Sequence, residues 1–200
     1  MKNSRLNHLK DEELAALYVE TQRNLYFEEI YERYANKVYR KCYSFVYNQA
    51  KAEDFTHDIF LKLIVKIGTF KETSKFSTWL YSITYNYCMD QIRVNKKNME
   101  VALEGNHDII DDNEDDDLMN MHEHQLGKSL EKIPSDEKAL ILMKYQDDFS
   151  IKEIADTLNI TESAVKMRLL RSKEKLRKIY LENLVIFALI VLKLVFFWKK

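Results

Sequence analysis

The stretch SIKEIADTLNITESAVKMRLLRSKEKLR, Ser150 to Arg177, leaves little choice of local fold. Ile151, Ile154, Ala155 and Leu158 recur at i, i+3, i+4 and i+7 and so share one face of a helix. Ser150 suits the N-cap, and Glu153 three residues on completes a capping box. Asn159 follows Leu158, and asparagine is among the few residues with a side chain that tolerate a left-handed backbone. Thr161 then opens a second helix. Its apolar stripe, Ala164, Val165 and Leu169, is opposed by Lys166, Arg168, Arg171, Lys173, Lys175 and Arg177. This is the pattern of a helix-turn-helix, whose second helix enters a DNA major groove while its charges meet phosphates and base edges. The plainer alternative is a pair of core helices with a solvated basic face. Short matches of this kind arise by chance, so the rest of the chain must decide.

The rest of the chain is helical in character. Among 200 residues there are 3 Gly and 1 Pro, and no stretch sustains a two-residue alternation of polar and apolar side chains. The net charge of −1 looks unpromising for a nucleic-acid ligand, but it hides segregation. Residues 1–99 hold 16 Lys and Arg against 12 Asp and Glu, residues 100–126 hold none against 10, and residues 127–200 hold 15 against 10. Local patches, not the mean, set the field that a polyanion meets. Cys42 and Cys88 lie inside apolar helical patterns and form neither a disulfide framework nor a C-x-x-C metal motif. His122 and His124, two apart, fall on different faces of any helix, and no metal or cofactor is expected. No nucleophile–base set and no phosphate-cradling glycine loop is visible, so no catalytic residue is assigned and the chain is not expected to be an enzyme. Residues 1–24 are charged throughout and do not read as a signal peptide, which makes the cytoplasm the expected compartment.

Periodicity predicts a short helix over 9–23 and a longer one over 25–48, with Phe27, Ile30, Tyr31, Tyr34, Val38, Cys42, Phe45 and Val46 as its apolar stripe. A third helix is expected from Lys51 to Ile67, with Glu53, Asp54 and Asp58 near its N-terminal end and Phe55, Ile59, Phe60, Leu63, Ile64 and Ile67 inward. Gly68 is expected to stop it. A polar loop, Thr69 to Lys75, leads to a fourth helix from about Ser77 to Asn95, capped by Ser77 or Thr78. Residues 100–117 have no apolar period and carry EGNHDIIDDNEDDD, the composition of a flexible linker. Helices resume near Leu118, with Ser129 to Ile133 and Ser135 to Tyr145 separated at Pro134.

Taken in order, KAEDFTHDIFLKLIVKIGTF, KFSTWLYSITYNYCMDQIR and IPSDEKALILMKYQDDFSIKEIADTLNITESAVKMRLLRSKEKLR resemble the sigma-70 family of bacterial RNA polymerase, in the compact extracytoplasmic-function (ECF) form that keeps only regions 2 and 4. The resemblance covers roughly residues 24–180. It implies an all-α fold of two small helical domains joined by a flexible acidic linker, plus a hydrophobic C-terminal helix. The corresponding boundaries are an N-terminal helix over 1–24, region 2 over 25–97, the linker over 98–126, region 4 over 127–181 and the tail over 182–200. It further implies docking on core RNA polymerase, recognition of the −10 and −35 elements of promoter DNA, and control by an anti-sigma factor.

Carried over residue by residue, the resemblance implies that Glu53, Asp54, Phe55, Asp58 and Phe60 contact a coiled coil of the largest polymerase subunit, with Ile59 left to the core. His57 and Asp58 stand where the family often has Gln and Glu, a change that keeps polarity. The loop Thr69 to Phe76 and the following helix correspond to the segment that opens the −10 element, where flipped bases are captured and stacked. Phe70, Phe76, Trp79 and Tyr81 are its aromatics, with Trp79 expected mostly in the core. Lys71, Lys75, Tyr85, Asn86, Asp90 and Arg93 are the expected lining of the strand, and Arg93, Lys96 and Lys97 suit phosphates. At −35, Lys166, Met167, Leu170 and Arg171 match base-facing positions, Arg168 a phosphate contact, and Lys173 joins the same cationic set. Arg171 suits a guanine, whose O6 and N7 its fork can bridge. Met167 and Leu170 depart from the hydroxyl, small or aromatic residues common there. The acidic linker corresponds to one lying near the RNA-exit path, where its charge would mimic RNA; a solvated tether is the equal alternative.

Residues 184–198, LVIFALIVLKLVFFW, are outside the family pattern. As a helix they would span about 22 Å, short of the roughly 30 Å hydrocarbon core. Three readings stand open: association with the membrane, by burial in its inner surface or by spanning a thinned bilayer, packing on a hydrophobic partner such as an anti-sigma factor, or an extra core helix over region 4. Apolar residues all round the helix argue against an in-plane amphipathic anchor. Two further function classes compete with the main one. A dimeric helix-turn-helix regulator would leave residues 51–97 unexplained, and a membrane signalling adaptor would put the active part in the tail.

Overall fold

The computed structural model describes residues 6–101 and 126–198, with side chains described for 6–94 and 126–182. Every long element among the described residues is an α-helix. The chain divides into two compact units, Met1–His107 and Asp108–Lys200. The expected linker over 100–117 and the pair His122 and His124 lie outside the described residues, apart from the last helical turn at 100–101.

In the first unit α1 (Asp11–Thr21), α2 (Asn24–Val46), α3 (Gln49–Lys66) and α4 (Phe76–Val101) surround one core. Leu14, Ile30, Val38, Ile59, Leu63 and Leu80 are wholly enclosed in it. Gln22 and Tyr47 close α1 and α2 in the left-handed conformation, at φ 53° and 47°. Asn48 starts α3, its side chain accepting the Lys51 N–H at 2.9 Å, so the helix begins two residues before the expected Lys51. Glu53, Asp54 and Asp58 therefore lie beyond its first turn, where the dipole term fades. Gly68 does not end α3 as a left-handed cap. The helix ends at Lys66 and tightens into a 3₁₀ turn, Ile67–Thr69. Ile64, expected inward, is 41% exposed.

The N-terminal helix is tied to the rest by charge. Arg33 Nη1 donates to Asp11 Oδ1 at 2.8 Å and to the Leu9 carbonyl at 2.9 Å, Nη2 to the Leu6 carbonyl, and Nε to Glu29. Burial works against the Arg33 charge, yet its bonds to Asp11 and Glu29 outweigh that and raise its pKa. The Tyr34 hydroxyl donates to the other Asp11 oxygen. Cys42 on α2 and Cys88 on α4 are free, buried and in contact, with sulfurs 3.8 Å apart.

In the second unit a helical segment over 126–131 precedes α5 (Ser135–Tyr145), α6 (Ile151–Leu158) and α7 (Glu162–Trp198). Pro134 occupies the N-cap of α5. The core is Leu140, Met143, Phe149, Ile154, Val165 and Leu169. The run 184–198 continues α7 without a break to Trp198. Among the described residues no helix is long and apolar enough to cross a membrane.

Candidate nucleic-acid interface

The second unit carries the helix-turn-helix. Ser150 Oγ accepts the Glu153 N–H at 3.1 Å while the Glu153 carboxylate accepts the Ser150 N–H at 2.7 Å, the reciprocal cap that the sequence predicts. Asn159 turns the chain at φ 51° and ψ 50°, and Thr161 Oγ1 caps α7 by accepting the Ala164 N–H at 3.2 Å. With about 100° between successive residues, burying Val165, Leu169 and Ser172 forces Lys166, Met167, Leu170 and Arg171 onto the opposite side. All four are exposed, Met167 by 50% and Leu170 by 53%. Two bare apolar side chains between two free-standing cations are costly in water and suited to a groove floor with thymine methyls. Arg168 and Lys173 are exposed on the two flanks of that face. Lys173 Nζ lies 5.5 Å from the Tyr145 ring centre, and Lys175 pairs with Glu137 at 3.2 Å.

The first unit presents two different surfaces. On α3, Glu53, Asp54 and Asp58 are exposed, with Asp58 accepting from the Tyr87 hydroxyl. Burial first, and then Asp58, raise the Tyr87 pKa. Phe55 and Phe60 are interior instead: Phe55 packs edge-on against Tyr87 at 5.3 Å, and Phe60 meets Phe27 and Tyr31. Neither ring offers the apolar contact area expected of it, and the exposed apolar area on α3 lies elsewhere. Leu61 and Val65 are 62% and 83% exposed, and they continue the register of Asp54 and Asp58 along one face. Their signal was available: both fall off the inward stripe.

The loop after α3 and the start of α4 form the other surface. Phe70, Phe76 and Trp79 pack mutually with ring centres 5.3–5.8 Å apart, and Tyr34 closes on Phe76 at 5.8 Å. Phe76 is fully enclosed, as is Tyr85 against Phe45. These two rings, expected at the strand, are core, because the apolar stripe of α4 is wider than the sequence pattern suggests. Phe70, Trp79 and Tyr81 are partly exposed, and Lys71, Lys75, Asn86, Asp90 and Arg93 are exposed. Asn86, Asp90 and Arg93 share one face of α4, with Arg93 within 3.4 Å of Asp90. Buried Lys41 sits 4.2 Å from the Tyr81 ring centre, a cation–π contact. Lys96 and Lys97 lie on the helical backbone of α4, but their side chains lie outside the described residues. Glu72, at φ 54°, makes the sharp bend in the loop.

A basic helix-turn-helix in one unit, and an exposed polar face beside an aromatic cluster in the other, are surfaces of the kind that a helical DNA-binding factor presents. The Sigma-70 region 2 profile matches residues 30–98, and the Sigma-70 region 4 profile matches residues 123–176. The chain is 32% identical over 163 residues to the ECF RNA polymerase sigma factor SigW of Bacillus subtilis, covering 76% of this chain and 87% of that one. It is 26% identical over 155 residues to the ECF sigma factor SigE of Mycolicibacterium smegmatis, covering 76% of this chain and 60% of that one. A solved sigma factor RpoE from Bartonella quintana, in complex with the anti-sigma factor NepR, shares the fold with a TM-score of 0.59 at 20% identity, over 76% of this chain and 95% of that one. The chain belongs to the sigma-70 family and is an RNA polymerase sigma factor of the ECF type. It is an initiation factor, not an enzyme.

Proposed function

We propose that this factor docks on core polymerase through the outward face of α3, opens the −10 element with residues 70–75 and the exposed face of α4, and reads the −35 element with α7. The single observation that carries the reading is the α7 face. Lys166, Met167, Leu170 and Arg171 stand exposed together while Val165 and Leu169 are buried behind them. Arg171 takes a guanine by its two-pronged fork, and Leu170 and Met167 take thymine methyls. On α3, Asp54 and Asp58 supply charge, and Leu61 and Val65 supply apolar area. Residues 25–97 and 127–181 act as the two modules, and the acidic stretch over 98–126 tethers them. Control by an anti-sigma factor is supported by the fold shared with a sigma factor solved in such a complex. The factor works in the cytoplasm, and the apolar run 184–198 gives it a further attachment at the inner face of the membrane.

Transcription in vitro tests the core of this. Promoter-specific transcripts are expected only when core enzyme is added, and strong protection of duplex DNA by the free protein would favour a stand-alone regulator. Arg171→Ala should cost about 1–3 kcal/mol at one −35 position and relax preference there. Asp54→Ala should weaken core binding and leave promoter preference unchanged. A chain lacking residues 183–200 should transcribe normally in vitro and lose its co-sedimentation with anionic vesicles. Unchanged sedimentation would remove the membrane role.

A further inference from the structure

The N-H of Phe76, at the first turn of α4, does not find its acceptor nearby in sequence. It donates to Oε1 of Glu12 at 2.8 Å, across 64 residues. The first-turn donors of a helix have no partner inside it, and a carboxylate there also meets the positive end of the helix dipole. Glu12 itself is held in place. Its neighbour Asp11 is clamped by Arg33 and Tyr34, so α1 reaches the loop as a fixed arm of α2. Phe76 is the residue on which Phe70 packs, and Phe70 and Phe76 bracket the loop over 71–75. The region 2 profile begins at residue 30 and does not include Glu12.

We propose that Glu12 is a positioning residue for promoter opening. By pinning the Phe76 amide, it sets the start of α4 and the loop over 70–75 in the geometry that captures −10 bases. It touches no DNA. The inference rests on the role proposed above for that loop. Loss of the carboxylate frees one first-turn donor and lets the loop shift on its aromatic base, so the strand-capturing state becomes one of several.

Holoenzyme reconstituted with the full chain tests this with Glu12→Ala, Glu12→Gln and Ile59→Val. The readouts are core affinity, −35 discrimination, the rate of thymine exposure to permanganate in the −10 element, and the penalty for single −10 substitutions. Glu12→Ala is expected to slow opening about tenfold, the scale of a lost helix cap, and to flatten the −10 penalties. Core affinity and −35 discrimination are expected to stay at wild-type values. Glu12→Gln keeps an acceptor oxygen and is expected to restore most of the rate. Ile59→Val trims the core with a comparable loss of stability and is expected to leave the −10 penalties intact. Wild-type opening by Glu12→Ala, or equal flattening by Ile59→Val, overturns the role of Glu12 while the loop's own role stands. A wild-type holoenzyme with no −10 penalties overturns both.

Discussion

Lys138 is a charged side chain enclosed in the second unit, and replacing it tests what burial costs there. It lies in α5 with 5% of its surface exposed, and burial pushes its pKa down to about 8 against the pull of Glu131. Its ordinary value is 10.5. Between those two values the unfolded chain binds a proton that the folded chain does not, so stability rises with pH across that window. Below about pH 8 both states are protonated, and the folded state bears the net penalty that remains after Glu131 offsets part of the burial cost, about 3 kcal/mol at 1.36 kcal/mol per pH unit. Lys138→Met keeps the volume and removes the charge. It also gives up the polar contacts of the ammonium, so the expected gain at pH 7 is about 1–3 kcal/mol. That gain should shrink steadily from about pH 8 and disappear near pH 10.5. Urea unfolding followed on the buried Met143 methyl resonance reads this unit alone, which matters because two units need not unfold together. A variant no more stable than wild type at pH 7, or an advantage that stays constant to pH 10.5, would refute the reasoning.

Two smaller perturbations probe the helix-turn-helix. Ser150→Ala removes one half of the reciprocal cap on α6 and should cost about 1 kcal/mol, seen as faster amide exchange at Glu153 and Ile154 and weaker −35 binding by holoenzyme. Ser172→Ala should be neutral or stabilising by up to about 1 kcal/mol, because the buried hydroxyl has no hydrogen-bond partner and alanine is the better helix former. A loss beyond about 1 kcal/mol in thermal unfolding would show that the hydroxyl is engaged.

What the sequence made legible was local. Ser150, Glu153, Asn159 and Thr161 act within four residues of themselves, so their caps and turns follow from order alone. Pro134 marks the start of α5 for the same reason. The start of α4 was not legible, since the acceptor for its Phe76 amide is a carboxylate on another helix. The contact between Cys42 and Cys88 was equally hidden, because it depends on how α2 and α4 are set side by side. The surface of the first unit was read by residue type, and type misleads for aromatics. Tyr85 and Phe76 resemble Phe70 and Trp79 in sequence, but their positions on α4 send them inward. The exposed Leu61 and Val65 escaped notice because an apolar residue on a helix is first assumed to be core.

The recognition helix and the apolar tail are one rod. The 37 residues from Glu162 to Trp198 contain neither proline nor glycine and run about 55 Å at 1.5 Å per residue. On the role proposed above for α7, a load applied at the distal end of this helix would reach Arg171 as tilt and torque, and a partner that grasped the tail would gain leverage over −35 recognition without touching the DNA.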